Sequence, residues 1–482
     1  MQIGNINSND FKMKIKNIAY IAFISGTAIS CKVQKYEQPE IKMPEAFRSD
    51  SIVADSQENI AKISYKDFFK DPVLVGLIDK AMVQNNDLQM ALKQIEFASL
   101  AYNQSKWANI PTVSASANAN INRPSDNSMN GMMAGQFMGK RYMEDYTTSL
   151  SFSWEADIWG KIKGRKEQAL VEYLKTQEAA KAVKTQVVSA VVQGYYNLLM
   201  LDTQLEITKS NMAYAENTLK FLTKQQELGL TTALAVQQQE IVKDQILKSI
   251  PAIESSVITQ ENALSLLTGS MPRKIERSAS LNNVQSPDQI ATGVPSELLS
   301  YRPDIKTAEL EVRKSAAAIH VAKMSMYPSL NITAQGGVNA FQISKWFSVP
   351  GSLFGMVAGA VAQPILNGKQ LKTQYEQSKV LADQAEINFK QSVLKAVGEV
   401  SDALIQIQKL EEQQKVAEGL AVKSGEAVKK ADLLFKYNSA TYVEVIIAQT
   451  NKLQAELELA SLKTQRLNAI TALYRSVGGG WQ

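Results

Sequence analysis

Side chains able to do chemistry are scarce in this chain, and their placement narrows what it can do. Among 482 residues there is one histidine, His320, and one cysteine, Cys31. A His-rich metal centre, a Cys-His nucleophile and an internal disulfide each need more than that. Catalysis through carboxylates alone stays formally open, yet no pair of acids stands out at a defined turn. Soft ligands are better represented: Met129, Met132, Met133, Met138 and Met143 place five of the chain's 16 methionines in the segment 123–144. Thioethers suit Cu(I), which makes Met129, Met132 and Met133 metal candidates. The absence of any Cys or His beside them favours the plainer reading, a flexible external loop of small, adaptable residues. A net charge of +5, evenly spread, gives no basis for nucleic-acid binding, and no cofactor is implied.

Cys31 points elsewhere. Lys12, Lys14 and Lys16 precede the apolar run 18–29, which ends in Ala28-Ile29-Ser30 just ahead of Cys31. A basic region, an apolar core of about a dozen residues and small residues before the cut make a secretory signal. A cysteine directly after such a cut is where a bacterial lipoprotein receives its acyl chains. Residues 1–30 are therefore expected to be the signal, whether translation starts at Met1 or Met13, and Cys31 the lipid-bearing first residue of the exported chain. No stretch approaches 18 consecutive apolar residues, so no spanning helix is expected. A membrane crossing would have to be made of strands.

The elements that carry these residues occur twice. Asp87-Leu88 recurs as Asp304-Ile305 and Pro111 as Pro328, both 217 residues later. Gly160-Lys161 recurs as Gly368-Lys369 after 208 residues, and Gly269 as Gly478 after 209. Such self-similarity marks two copies of one structural unit. The expected organisation is an N-terminal extension over 31–75, a first repeat over 76–270, a Ser/Asn/Pro-rich linker over 271–300 and a second repeat over 301–482.

Each repeat holds two alternating segments. In 112–122 Val113, Ala115, Ala117, Ala119 and Ile121 alternate with Ser, Thr and Asn, and 145–157 alternates in the same way. The second repeat gives 329–340, again alternating, and 354–363, small and apolar on both faces. Alternation fits a half-buried strand of a soluble sheet as well as a membrane strand of about 9–11 residues. Polar faces made largely of uncharged residues, and few other strands to join, favour the membrane. Trp154, Phe152, Tyr146, Trp346 and Phe347 lie near strand or loop ends and suit an interfacial aromatic belt. Pro111 and Pro328 fall where helix becomes strand.

Residues 165–228 and 371–437 carry helical periodicity without proline, enough for arms of about 96 and 100 Å. Each is expected to turn, at 229–232 and 438–442, where Gly229 and Asn438 are the residue types that close a helix in the left-handed conformation. A shorter helix then returns, the first one interrupted at Pro251. Four strands cannot close a barrel, and eight leave an interior filled by side chains. A water-filled tube thus needs three or more copies.

The segments RPDIKTAELEVRKSAAAIHVAKMSMYPSLNITAQGG (302–337), WEADIWGKIKG (154–164) and LYRSVGGGW (473–481) resemble the TolC-like outer-membrane efflux factors. The likeness is strongest to their lipoprotein branch, which serves resistance-nodulation-division pumps. Cys31, Tyr36, Pro39 and Pro44 at the start of the exported chain look like that branch too. The resemblance covers essentially everything after Cys31. It implies a mixed fold, mostly α: an internally duplicated protomer that forms a trimeric 12-stranded outer-membrane β-barrel continuous with a 12-helix periplasmic α-barrel. It also implies a passive exit channel without enzymatic activity, partnered by a periplasmic membrane-fusion adaptor and an inner-membrane pump and surrounded by outer-membrane lipid.

Relatives close the periplasmic end with a tyrosine, an arginine and aspartates, and here the chain departs from them. Phe435 stands where the tyrosine is expected, Ala440 where an arginine can sit, and Ile447 and Ala235 where aspartates are expected. Only Glu444 keeps a charge. A constriction of Phe435, Ile447 and three copies of Glu444 is the expected gate, and such a carboxylate ring favours cations. Glu444 is equally readable as a solvated helix carboxylate. The turns Gly229-Leu230-Thr231 and Asn438-Ser439-Ala440 are the expected adaptor-docking sites. A duct for type I protein secretion is the alternative that the sequence separates least well.

Overall fold

A computed structural model describes residues 41, 43–44, 47–48, 60–137, 139, 141–284, 295–437 and 439–482. The export signal, Cys31, Met138 and Asn438 lie outside the described residues. The principal elements run α1 (Pro72–Gln84), α2 (Asn86–Lys106), β1 (Thr112–Asn122), α3 (Met129–Phe137), β2 (Met143–Ala156), α4 (Lys161–Glu227) and α5 (Ala233–Leu267). They continue as α6 (Pro303–Met324), β3 (Ser329–Ala340), β4 (Leu353–Ala362), α7 (Gln370–Lys436) and α8 (Tyr442–Ser476). No helix among the described residues is long and apolar enough to cross a membrane. The chain divides into two bodies: Ala98–Tyr173 with Glu311–Ala385, and Pro39–Phe97 with Leu174–Leu310 and Glu386–Gln482.

The first body holds one antiparallel sheet in the order β1-β2-β3-β4. Pro111 and Pro328 stand immediately ahead of β1 and β3, where a missing N–H disturbs no ladder bond. The register sets Thr112 opposite Ser153, Ser151 opposite Gln335 and Ser329 opposite Ala362. The sheet therefore keeps the sequence alternation on a common face across its first three strands. One expectation changes here. The segment 123–144 is more than a loop, because Met129–Phe137 coils into α3. Ser128 opens it by donating its hydroxyl to the Ser125 carbonyl and accepting the Gly131 N–H on the same oxygen. A serine side chain that satisfies local backbone groups is an ordinary helix starter.

Two helical hairpins of matched size have the first turns of their long helices in the first body and the rest in the second. Both α4 and α7 have 67 residues, and both α5 and α8 have 35. At a rise of 1.5 Å per residue the long arms reach about 100 Å. Gly229, at φ +71°, ends α4, with the Leu230 N–H reaching back to the Gln225 carbonyl at 2.8 Å. The Ser439 N–H makes the same bond to Leu434 at 2.8 Å after α7. This six-to-one bond is how a left-handed residue satisfies orphan carbonyls. Thr232 then starts α5 by accepting the Ala235 N–H at 3.3 Å. The expected break at Pro251 is absent: α5 runs through it. Pro251 and Leu247, whose carbonyl loses its partner, are both exposed, so water can take the freed group.

The repeats are pinned at their closing turns by different chemistry in equivalent places. In the first, Asn85 Nδ2 donates to the Leu267 carbonyl at 2.9 Å and Asn85 Oδ1 accepts from Leu88 N–H at 3.0 Å. In the second the buried Arg302 takes the place of Asn85 and donates to the Ser476 carbonyl at 2.9 Å. Its other nitrogens meet Asp304 at 3.0 and 2.6 Å and Glu399 at 2.7 Å. Burial works against the Arg302 charge, but the two carboxylates outweigh it and raise its pKa. Burial likewise pushes the Asp304 carboxyl up, yet the guanidinium and backbone N–H groups win and hold it below the usual range. Linker residue Arg277 pairs with Asp202 at 2.7 Å and also with Glu261, tying the linker to α4 and α5.

Candidate channel wall and gate

Strand parity sorts the sheet into two unlike faces. Thr112, Ser114, Ser116, Asn118 and Asn120 share one face with Asp145, Thr147, Ser149, Ser151 and Ser153 of β2 and with Asn331, Thr333, Gln335 and Asn339 of β3. These side chains bond to one another across the strands. Ser116 and Ser149 hydroxyls lie 3.3 Å apart, Gln335 Nε2 donates to Ser149 at 2.9 Å, and Asn339 Nδ2 reaches Asp145 at 2.6 Å and Thr147 at 2.7 Å. The opposite face carries Val113, Ile121, Leu150, Val357 and Val361, all exposed in the single chain. On the polar side β4 contributes only Ala358, Ala360, Ala362, Met356 and Phe354. Such a sheet can hold water on one side and hydrocarbon on the other. The connections β1–β2 and β3–β4 leave the sheet at the end opposite to Pro111 and Pro328. There Tyr146 packs on Trp346 at 5.4 Å and Trp346 on Phe347 at 5.1 Å.

At the hairpin tips Leu222, Ala235, Phe435 and Val445 form a buried cluster, with Phe221, Val236, Ala431 and Tyr442 against it. Phe221 meets Phe435 edge to face at 5.5 Å. Phe435 is thus an internal residue of the single chain, while Ile447 is 53% exposed. The Glu444 carboxylate accepts from both the backbone N–H and the hydroxyl of Thr441 (hydroxyl oxygen at 3.0 Å) and so starts α8. Ala235 occupies the matching position of α5 and can offer no such bond. Around the turns Leu228, Leu230 and Leu234 of the first repeat, and Tyr437, Val443 and Ile447 of the second, expose apolar side chains. Thr231, Ser439 and Ala440 complete the described part of these turns.

One acid near the tip escaped the sequence reading. Asp432 lies one turn before Lys436, and burial pushes its carboxyl up against the pull of that lysine. The (i, i+4) spacing was visible, but nothing local announced the burial. Met129, Met132 and Met133 share one exposed face of α3 at i, i+3 and i+4. His320 is buried, packed close to Gly160 and Gly164 at the start of α4. Among the described residues no group of three or more His, Cys, Asp or Glu is placed to hold a metal ion.

A family model described as outer membrane efflux protein matches residues 77–270 and 294–479. The cation efflux system protein CusC of Escherichia coli O6:H1 is 26% identical over 452 residues, covering 93% of this chain and 95% of that protein. The probable outer membrane lipoprotein SilC of Salmonella typhimurium is 25% identical, over 98% and 99% of the two chains. The solvent efflux pump outer membrane protein SrpC of Pseudomonas putida is 26% identical over 97% and 99%. A crystal structure of CusC superposes with a TM-score of 0.82 at 24% identity, covering 93% of this chain and all of that one.

Proposed function

This chain belongs to the outer membrane efflux protein family, and from that premise we propose that three copies close one barrel and work as the exit duct of a tripartite pump. The chain is an outer-membrane efflux channel and not an enzyme. The carrying observation is a four-stranded sheet with a polar face, an apolar face and both outer strands unpaired. Hydrocarbon tolerates no open edge, two copies would leave no lumen, and three make twelve strands around one. β4 of each protomer then pairs with β1 of the next.

The hairpins supply the periplasmic conduit, and their tips with the turns 229–232 and 438–442 dock a membrane-fusion adaptor. Leu228, Leu230, Tyr437 and Val443, exposed there, are what an adaptor would cover. Ile447 and Glu444 of three protomers narrow the entry, with Phe435 packing the hairpins behind them. Cys31 carries the lipid anchor, consistent with its place after the export signal and with a relative described as a lipoprotein. An inner-membrane pump of the resistance-nodulation-division type supplies the energy.

The cargo is small molecules. Relatives named for cations and for solvents both match this chain over 95% or more of their own length, which fits a duct whose pump selects the substrate. No feature favours protein export. The test combines a bilayer recording of the purified protein with a susceptibility panel on the deletion strain, covering dyes, detergents, antibiotics, Cu and Ag. Conductance from a trimer with a broad susceptibility supports the reading. Susceptibility to Cu and Ag alone would raise Met129, Met132 and Met133 to a candidate metal site, and a protein without conductance would sink the channel assignment.

A further inference from the structure

Within one chain, the corner where β2 becomes α4 is seated on the corner where α6 becomes β3. Trp159 donates its indole N–H to the Pro328 carbonyl at 2.7 Å, and its ring lies 5.2 Å from Tyr327. Asp157 caps α4 by accepting the N–H groups of Ile162 and Lys163, each at 2.9 Å. Met324, on the facing corner, is only 4% exposed and lines the same small cavity as Trp159.

The duplication repeats both corners. The structural counterpart of Gly160 (φ +76°) is Lys369 (φ +65°), each accepting the first bond of its helix, from Gly164 and Thr373. One more than the 208 expected from matching Gly160 with Gly368, residues 364–369, between β4 and α7, stand 209 positions after 155–160. That spacing is fixed on one side by the strand ladder, with Ser153 opposite Thr112 and Ala362 opposite Ser329. On the other it is fixed by the helix starts Lys161 and Gln370. Residues 107–112, between α2 and β1, stand 217 positions before 324–329. The two repeated corners belong to β4 and β1, at opposite edges of the sheet, so they are not seated on one another within the chain. The 107–111 corner is held to its own sheet by the Asn109 carbonyl, which accepts from Trp154 Nε1 at 3.0 Å.

At these unmated corners the residues change together. The place of Ala156 is taken by Ile365, 90% exposed, and that of the capping Asp157 by Leu366, 94% exposed. These are the two most exposed large apolar side chains among the described residues. An apolar residue there forgoes a helix cap and leaves its bulk in solvent. The place of Trp159 is taken by Gly368. Across the seam, the place of buried Met324 is taken by Trp107, 65% exposed, and that of Tyr327 by Ile110. The indole has changed sides: Trp159 faces Met324 within the chain, whereas Gly368 would face Trp107 between chains. Such exchange of bulk keeps the total volume of a packed seam.

We infer that the 364–368 corner of one protomer is a docking surface for the 107–111 corner of a second copy of this chain. Trp107 covers Gly368, and Ile110 packs against Ile365 and Leu366. The inference rests on the trimer reading above and extends it from backbone pairing to an apolar clasp where strands become helices. The contact is head to tail, the kind of interface from which a closed ring is built when its rotation closes, as the twelve-stranded barrel proposed above requires. The occupant is another copy because the surface of reversed bulk is on the chain itself; lipid tails would not select glycine opposite an indole.

The test places p-benzoylphenylalanine at Leu366 in the full-length protein in cells, irradiates, and maps the products by mass spectrometry. Native mass of the unmodified protein is measured alongside. The expected result is a trimer and a cross-linked dimer whose junction lies within 107–111 of another copy. Trp107→Ala, which removes a ring largely outside the single chain's own core, should abolish that band and lower the temperature at which trimers dissociate. A trimer cross-linked only to lipid or to other segments would overturn the clasp and leave the trimer standing. A wild-type protein that is not trimeric would overturn both.

Discussion

Replacing Arg302 by Ala should loosen the closing turn of the second repeat and leave that of the first unchanged. The Arg302 guanidinium is buried and joins the Ser476 carbonyl, Asp304 and Glu399. Its removal strips that carbonyl of a donor, leaves Asp304 without its counter-charge and leaves Glu399 with only Lys395, at 3.8 Å. Deleting one partner of a fully buried pair costs about 3–5 kcal/mol. Here the Glu399 side chain is 31% exposed and that of Asp304 48%. Solvent therefore takes up part of the loss, and about 2–3 kcal/mol is expected. At 1.4 kcal/mol per tenfold, that is about a 30- to 140-fold rise in local opening. Hydrogen exchange of the intact protein reads it on peptides covering 470–479, with 261–270 as the internal comparison. Asn85→Ala is the mirror perturbation: it removes two neutral bonds, about 1–2 kcal/mol, and should speed exchange at 261–270 instead. Unchanged exchange at 470–479 in Arg302→Ala, or equal acceleration of both peptides, would refute the assignment of these two residues as separate pins.

The same pin responds to acid. The Asp304 carboxyl is held below its ordinary 3.8, so its contribution is complete above that value and is lost as pH falls through the lowered pKa. Exchange at 470–479 should accelerate below pH 3.8 in the wild type and respond less to acid in Arg302→Ala. Glu444→Ala should weaken the start of α8 by about 1 kcal/mol, seen as faster exchange over 441–446. Glu444→Gln keeps an acceptor but not the charge, so an unchanged cation preference in single-channel recordings would remove the carboxylate ring while leaving the cap intact. Gly269 sits at φ +65° with the Gln84 carbonyl where a Cβ would be. Gly269→Ala should cost about 1–3 kcal/mol from the left-handed backbone alone, with the collision added, and a thermal midpoint within error of wild type would contradict this.

Local periodicity made the repeats readable. Strands expected over 112–122, 145–157, 329–340 and 354–363 run Thr112–Asn122, Met143–Ala156, Ser329–Ala340 and Leu353–Ala362. Alternation that strict leaves little room for another element, and Pro111 and Pro328 mark two of the starts. Gly229 announced its turn for the same kind of reason. What local pattern could not give is which neighbour a side chain meets. Leu433, Leu434 and Phe435 are consecutive and apolar; only packing against Phe221 and Leu222 decides that Phe435 is the buried one. Arg302 finds Glu399 and Ser476 far along the chain, and no spacing rule foretells such partners. Pro251 misled because a helix interrupter on a wet face is tolerable. Thr441 and Glu444 spell a capping box in the sequence itself, a local role the carboxylate holds whether or not it also narrows the entry.

The open edges of the sheet bear on how the protein comes to exist in its membrane. A single chain ends its sheet on 11-residue β1 and 10-residue β4, each with a row of unpaired backbone groups. In the periplasm those rows are templates for mispairing, and in hydrocarbon they are forbidden. If three copies share one barrel, as proposed above, insertion and association are one event, with no folded monomer resident in the bilayer. Stability then depends on how many chains arrive together. Slow export would prolong the vulnerable period of each chain, and a surplus of chains lacking partners would be left to proteases.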